Sequence, residues 1–200
     1  MTQDLMQVYT SLQGRHRAQA EPHVWWPLTH HTDPPEWVRV VHAALSVNSR
    51  WALIVKGTNS LARHNLLQAV AIARVSVASL VSIIEGGLPE PKAQRLRQIC
   101  ELAVQFGSEV HFLHQVQRED LLSLPWVRDE TADRILLYAC GRPIFPVDRH
   151  VKKLFRTSGF VSAQQKDEAI KMLVRAALGE EVASYQRLYA LCQLESAHLR

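Results

Sequence analysis

Apolar residues recur three and four positions apart along most of this chain, and nowhere do apolar and polar residues alternate long enough to make a strand. Leu5, Val8, Tyr9 and Leu12 share one face of a helix over 2–18. A loop rich in Pro and His follows over 21–35 and contains Trp25-Trp26-Pro27. Asp33 ahead of two prolines is a helix-start signal. Trp37, Val38, Val41 and Leu45 then carry a helix from Glu36 to about Asn48, and another runs from Arg50 or Trp51 to about His64. The stretch 66–84 is rich in Val and Ile, but its length and Ala content favour one or two buried helices. Gly86-Gly87-Leu-Pro-Glu-Pro91 breaks the pattern. From Lys92 to Phe106, Leu96, Ile99, Leu102, Ala103 and Phe106 line one helix face. A short apolar helix, a tight turn around Pro125 and a helix opening near Thr131 come next. A loop broken by Pro143 and Pro146 delivers Asp148 to the start of a helix over about 149–158, and helices near 163–178 and 180–198 close the chain. The pattern is all-α.

Composition narrows the class. With 200 residues, 47% hydrophobic and 21% charged, the chain has the make-up of a soluble globular protein with one large domain or two small lobes. No run approaches the roughly 18 apolar residues of a membrane span, and the N-terminus lacks a basic-then-apolar signal. No membrane association and a cytoplasmic location follow as expectations. The net charge is +4, and the segment from Arg128 to Arg156, with seven Lys and Arg against four Asp and Glu, holds three of those charges. Arg149, Lys152, Lys153 and Arg156 fall on one helix face directly after Asp148, a stripe suited to phosphate contacts or to a solvated surface. Cys100, Cys140 and Cys192 are far apart, with no Cys-x-x-Cys pair. They are expected to be buried thiols rather than metal ligands. The pairs His30-His31 and His111/His114 have no third ligand nearby, so no metal and no cofactor is expected.

The turn and the aspartate carry a resemblance. Leu124-Pro125, Val127, Thr131-Ala132, Ile135-Leu136 and Val147-Asp148 match, in register, the helix-hairpin-helix and following aspartate of the endonuclease III superfamily of DNA glycosylases. Trp126 and Arg128 stand where that family has its two hairpin glycines. The resemblance implies an all-α, two-lobed helix-hairpin-helix glycosylase fold with the aspartate in a cleft between lobes. It divides the chain into a central helical barrel over 36–142 and a second lobe made of 1–35 with 143–200. It also implies that the hairpin, through Pro125, Trp126, Val127, Arg128 and Thr131, meets a DNA phosphate together with Arg149, Lys152 and Lys153. Glycines let such a turn adopt positive φ and let phosphate approach closely. A Trp held at positive φ would cost about 1–2 kcal/mol, which a charge contact from Arg128 would offset in part.

Cleaving an N-glycosidic bond develops positive charge on the sugar, and a carboxylate beneath the ring stabilises it and can activate water. By motif that carboxylate is Asp148, which can equally cap the helix from Arg149. Members that also cut the strand carry a lysine nucleophile just before the Thr/Ser-Ala pair. Glu130 occupies that place, which implies base excision without strand cleavage. Trp25-Trp26-Pro27, Leu45-Ser-Val-Asn48-Ser-Arg-Trp51 and Leu188-Tyr189-Ala190 resemble segments of the 3-methyladenine DNA glycosylase III branch. Trp25, Trp26, Asn48 and Trp51 would then line a pocket for an alkylated, positively charged base, with a cation–π contribution of about 0.5–2 kcal/mol. Val47 replaces the branch's Gln, and Glu195 its pocket lysine. The expected partner is duplex DNA with a damaged base, bound by a monomer, close to the nucleoid. Two alternatives remain. One is a degenerate, non-cleaving DNA-binding protein of the same fold, favoured by the lost glycines; the other is a helical interaction module.

Overall fold

The computed structural model describes residues 2–16, 35–49, 51–84 and 88–198. Among them every regular element is helical. No helix there is long and apolar enough to cross a membrane. The chain forms two compact units, one over 34–140 and one made of 1–33 with 141–200.

The 34–140 unit holds α2 (Glu36–Leu45), α3 (Trp51–Arg63), α4 (Ala69–Arg74), α5 (Val77–Ile83), α6 (Pro89–Gln105), α7 (Glu109–Gln115), α8 (Arg118–Leu122) and α9 (Asp129–Arg134). Its centre is α6, with Leu96, Ile99 and Ala103 fully buried and α4, α5 and α2 packed against it. Leu88 turns into α6 through left-handed backbone at φ 55°, and Pro89 begins the helix, where its missing N–H costs nothing. The Val/Ile-rich stretch is two short helices separated by Ser76, whose hydroxyl accepts from Ser79 N at 3.1 Å and caps α5. Of that stretch only Leu66, Ala69, Ile72, Leu80 and Ile84 are buried, and Val70 is exposed, so the helices are half-covered. The helix α2 stops at Leu45 rather than near Asn48, because Ser46–Ser49 close a turn with Asn48 at φ 53°.

Beyond α9 the chain continues as a π-helical turn over Ile135–Ala139, closed by Cys140 N donating to Ile135 O at 3.1 Å. The wider turn rotates the following side chains, and every residue from Thr131 to Ala139 is buried. Two of these are charged and both are paired. Asp133 accepts from Arg118 Nε at 2.7 Å, and Arg134 donates to Ser46 Oγ at 2.7 Å while bridging to Glu130.

The other unit contains α1 (Thr2–Arg15), α10 (Arg149–Thr157), α11 (Asp167–Leu178) and α12 (Val182–His198). Leu5, Tyr9 and Leu12 of α1 face α11 and α12, and Val151, Leu154 and Phe155 of α10 pack on α12. The start of α11 lies four residues beyond the expected 163. There Ser162 N donates to Gln165 Oε1 at 2.6 Å, a local turn that competes with helix. The loop 141–148 inserts Phe145, whose ring meets the edges of Tyr185 and Tyr189 at 5.8 and 6.3 Å. Asp33 and Gly86-Gly87, the expected start and break signals, lie outside the described residues.

Candidate active site

Asp148 is a buried carboxylate, 3% exposed, at the N-cap of α10. Its extended backbone lets the side chain fold back on the helix start. Oδ1 accepts from His150 N and Val151 N, both at 2.9 Å. Such capping satisfies two of the four helix N–H groups left without intrahelical partners. Oδ2 is held separately, accepting from Tyr189 Oη at 2.7 Å and from Gln193 Nε2 at 2.6 Å. Tyr189 and Gln193 are four residues apart on α12 and so share one face. Three residues on, Ser196 Oγ bonds His150 Nδ1 and donates to Gln193 O at 3.1 Å. Arg149 Nε donates to His150 Nε2 at 3.2 Å, which leaves the proton of a neutral ring on Nδ1. The thiol of Cys192, fully buried, is pushed well above its usual range by desolvation and then by the charge of Asp148.

The basic stripe is partly engaged by the protein itself. Lys152 Nζ pairs with Asp167 Oδ1 at 2.9 Å, and Lys153 Nζ reaches Ser196 O at 3.4 Å. Arg156 donates to Ala163 O at 3.3 Å, and Arg149 is exposed. Glu195 accepts from Arg15 at 3.0 Å and bonds His16 Nε2 at 2.7 Å.

In the 34–140 unit, the turn between α8 and α9 is the candidate hairpin. Trp126 and Arg128 both have negative φ, since the only non-glycine residues at positive φ among those described are Asn48, Asn65 and Leu88. The strain expected of a Trp in a glycine position is therefore absent. Instead α6 supports the turn: Arg95, 7% exposed, donates Nε to Trp126 O at 2.9 Å and Nη1 to Ala44 O at 2.8 Å. Gln98 Oε1 accepts from Trp126 N at 3.3 Å. Burial lowers the pKa of Arg95, Glu130 opposes that shift, and Arg134 adds to it. Val127 and Thr131 are buried, and their amides bond Leu124 O and Arg128 O. The hairpin thus exposes Pro125, Trp126 and Arg128, with Glu130 half-covered. Arg118 binds both Asp129 and Asp133, and the Asp133 hydrogen bond is the main reason its pKa rises.

The pocket candidates divide. Asn48 is exposed, and Trp51 is half-buried with its ring edge-on to His42 at 5.2 Å. Trp25 and Trp26 lie outside the described residues. Among the described residues no group of three or more His, Cys, Asp and Glu is arranged to hold a metal ion. Cys100 and Cys192 are buried and Cys140 half-buried, all unbridged.

The sequence profile of the HhH-GPD superfamily of base excision DNA repair proteins matches residues 41–178. This chain belongs to that family. The matched span contains both the hairpin and Asp148. A protein of Methanocaldococcus jannaschii, named provisionally as a DNA repair glycosylase, is 30% identical over 84% of this chain and 77% of its own length. Solved structures share the fold, and two of them illustrate it. One is the H. pylori 3-methyladenine DNA glycosylase MagIII bound to 1,N6-ethenoadenine, with a TM-score of 0.79, 21% identity and 96% of each chain covered. The other is endonuclease III in a non-covalent DNA complex, with a TM-score of 0.76, 20% identity and coverage of 96% of this chain and 84% of that one. The family is one of DNA glycosylases acting in base excision repair, so DNA binding through a helix-hairpin-helix is its common property.

Tyr189 was visible in the sequence only as part of a matching segment, and Gln193, His150, Arg95 and Gln98 carried no local signal.

Proposed function

We propose that this chain is a monofunctional DNA glycosylase, hydrolysing the N-glycosidic bond of an alkylated base in duplex DNA and leaving the strand uncut. Asp148 carries the reading. A carboxylate kept ionised by four hydrogen-bond donors is a fixed negative charge, suited to stabilising the positive charge that develops on the sugar. With both oxygens already accepting, its main contribution is electrostatic rather than the removal of a proton from water. Glu130 supports the absence of strand cleavage, because it offers no amine and is paired with Arg134. Support for an alkylated base comes from the 3-methyladenine glycosylase neighbour, described bound to 1,N6-ethenoadenine. Trp25, Trp26, Asn48 and Trp51 are the base-pocket residues of this reading. Pro125, Trp126, Val127, Arg128, Thr131, Arg149, Lys152 and Lys153 are its DNA-binding residues.

A second reading, DNA binding without cleavage, is favoured by the hairpin itself, where Trp126 and Arg128 replace the two glycines that let a phosphate approach the backbone closely. Duplexes carrying alkylated, deaminated and oxidised bases separate the readings when scored for abasic sites and for bound complex. Abasic product from an alkylated duplex is the expected result. Complex without product on every lesion would establish the second reading.

A further inference from the structure

We propose that Tyr189 and Gln193 are positioning residues that hold the Asp148 carboxylate ionised and fixed in direction. The proposal rests on the reading of Asp148 as the group that acts on the sugar. The main-chain donors at Oδ1 are supplied by any N-cap aspartate and fix only one oxygen. Oδ2 is the oxygen a plain cap leaves to solvent. Here it is buried, and two side chains 41 and 45 residues away in sequence converge on it at 2.7 and 2.6 Å. Burial alone disfavours the charged form of a carboxyl, whereas donors to that form favour it. The two donors from α12 therefore offset the desolvation that α10 and α12 impose together. They also prevent rotation about the last side-chain bond, so the charge lies in one place before DNA arrives.

The neighbouring titratable and charged groups can be separated from this effect. Those of the packed helices are Arg149, His150, Lys152, Lys153 and Arg156 on α10, and Tyr185, Arg187, Tyr189, Cys192 and Glu195 on α12, with Arg15 and His16 of α1 bonded to Glu195. Cys192 stays a neutral thiol over the working range, because burial and Asp148 both hold its proton on. His150 Nδ1 bonds Ser196 Oγ, a contact to which neither Tyr189 nor Gln193 contributes its side chain.

The test uses Tyr189→Phe, which removes one hydroxyl and keeps the ring against Phe145, and Gln193→Met, which keeps length and removes the donor. The side-chain carboxyl of Asp148 and the ring of His150 are followed by NMR titration in the full chain. Single-turnover excision is measured against pH on the best alkylated duplex. Each variant should raise the Asp148 midpoint by about one pH unit, since one hydrogen bond to the charged form is lost. The acidic limb of the excision rate should move by the same amount while the His150 titration stays in place. An Asp148 midpoint within a few tenths of a unit of the parent's in both variants overturns the proposal. A midpoint that moves while the excision limb does not overturns its link to the reaction. If the midpoint moves but the parent excises nothing, the hold on the carboxylate stands and the glycosylase reading fails. Loss of fold in one variant leaves the other to decide.

Discussion

Arg95 donates to the carbonyl of Trp126 at 2.9 Å, fixing from α6 a turn whose own residues need no left-handed backbone. The same guanidinium holds Ala44 O, so one buried side chain ties the candidate hairpin to α2. Arg95→Leu should destabilise the protein by about 2–4 kcal/mol, because it leaves two acceptors inside the unit without their donor. Arg95→Lys should recover only part, since a point charge cannot serve both carbonyls with the fork of a guanidinium. Urea unfolding checks both variants. A loss below about 0.5 kcal/mol for Arg95→Leu would show that water replaces the contacts.

Trp126→Gly introduces the glycine of the hairpin pattern that this turn resembles, yet it should not stabilise the protein. Trp126 has negative φ and is 41% exposed, so no strain is relieved. Glycine adds backbone freedom to the unfolded chain and should cost about 0.5–1 kcal/mol. Thermal unfolding settles the sign. A gain in stability would mean that the Trp is strained after all.

The buried thiols set a pH dependence. Burial pushes Cys100 and Cys192 up, helped by Glu109 and Glu101 at Cys100 and by Asp148 at Cys192. In the unfolded chain a thiol ionises near pH 8.5. The folded state therefore holds these protons where the unfolded state has released them. Their contribution to stability is complete below about pH 8 and is lost as pH rises toward the folded values. Each thiol adds a slope of about 1.4 kcal/mol per pH unit above about pH 9. Chemical unfolding at pH 7 to 10.5 should show this fall, and Cys192→Ala should flatten it by roughly half. A stability flat to pH 10 would contradict the assignment.

Borohydride should trap no covalent complex between the parent protein and DNA carrying a lesion, if Glu130 occupies the proposed place of an attacking amine. A band that survives denaturing gels would identify a lysine elsewhere as nucleophile, with Lys152 and Lys153 the first to replace.

Much of this was legible along the chain, and the exceptions share a cause. Leu5, Tyr9 and Leu12, or Leu96, Ile99 and Ala103, announce their helices because burial repeats with the helical period. Asp148 was legible as a cap because loop prolines and an apolar Val147 precede it. The bonds that Tyr189 and Gln193 make to it were not, since they join residues more than 40 apart. The short α7 shows no apolar period, because it buries only Phe112. The π turn at Ile135–Ala139 left no local pattern, because its residues are buried on every side and show no period. The negative φ of Trp126 depends likewise on α6 holding the turn from outside. Of the four residues proposed for the base pocket, Asn48 and Trp51 flank the start of α3, whereas Trp25 and Trp26 fall outside the described residues.

The most direct measurement is single-turnover excision by Asp148→Asn. The substitution keeps a capping oxygen for His150 N and Val151 N. Its amide can face Tyr189 Oη, and Gln193 can turn its own oxygen inward to accept, so the helix start survives. Stability should change by no more than about 1 kcal/mol, and DNA affinity should hold or rise slightly with one negative charge gone. Only the charge is removed, and the rate of base release should fall by about 10²–10³. A folded Asn variant that binds DNA and releases the base within a few-fold of the parent rate would contradict the account, leaving Asp148 as a helix cap alone.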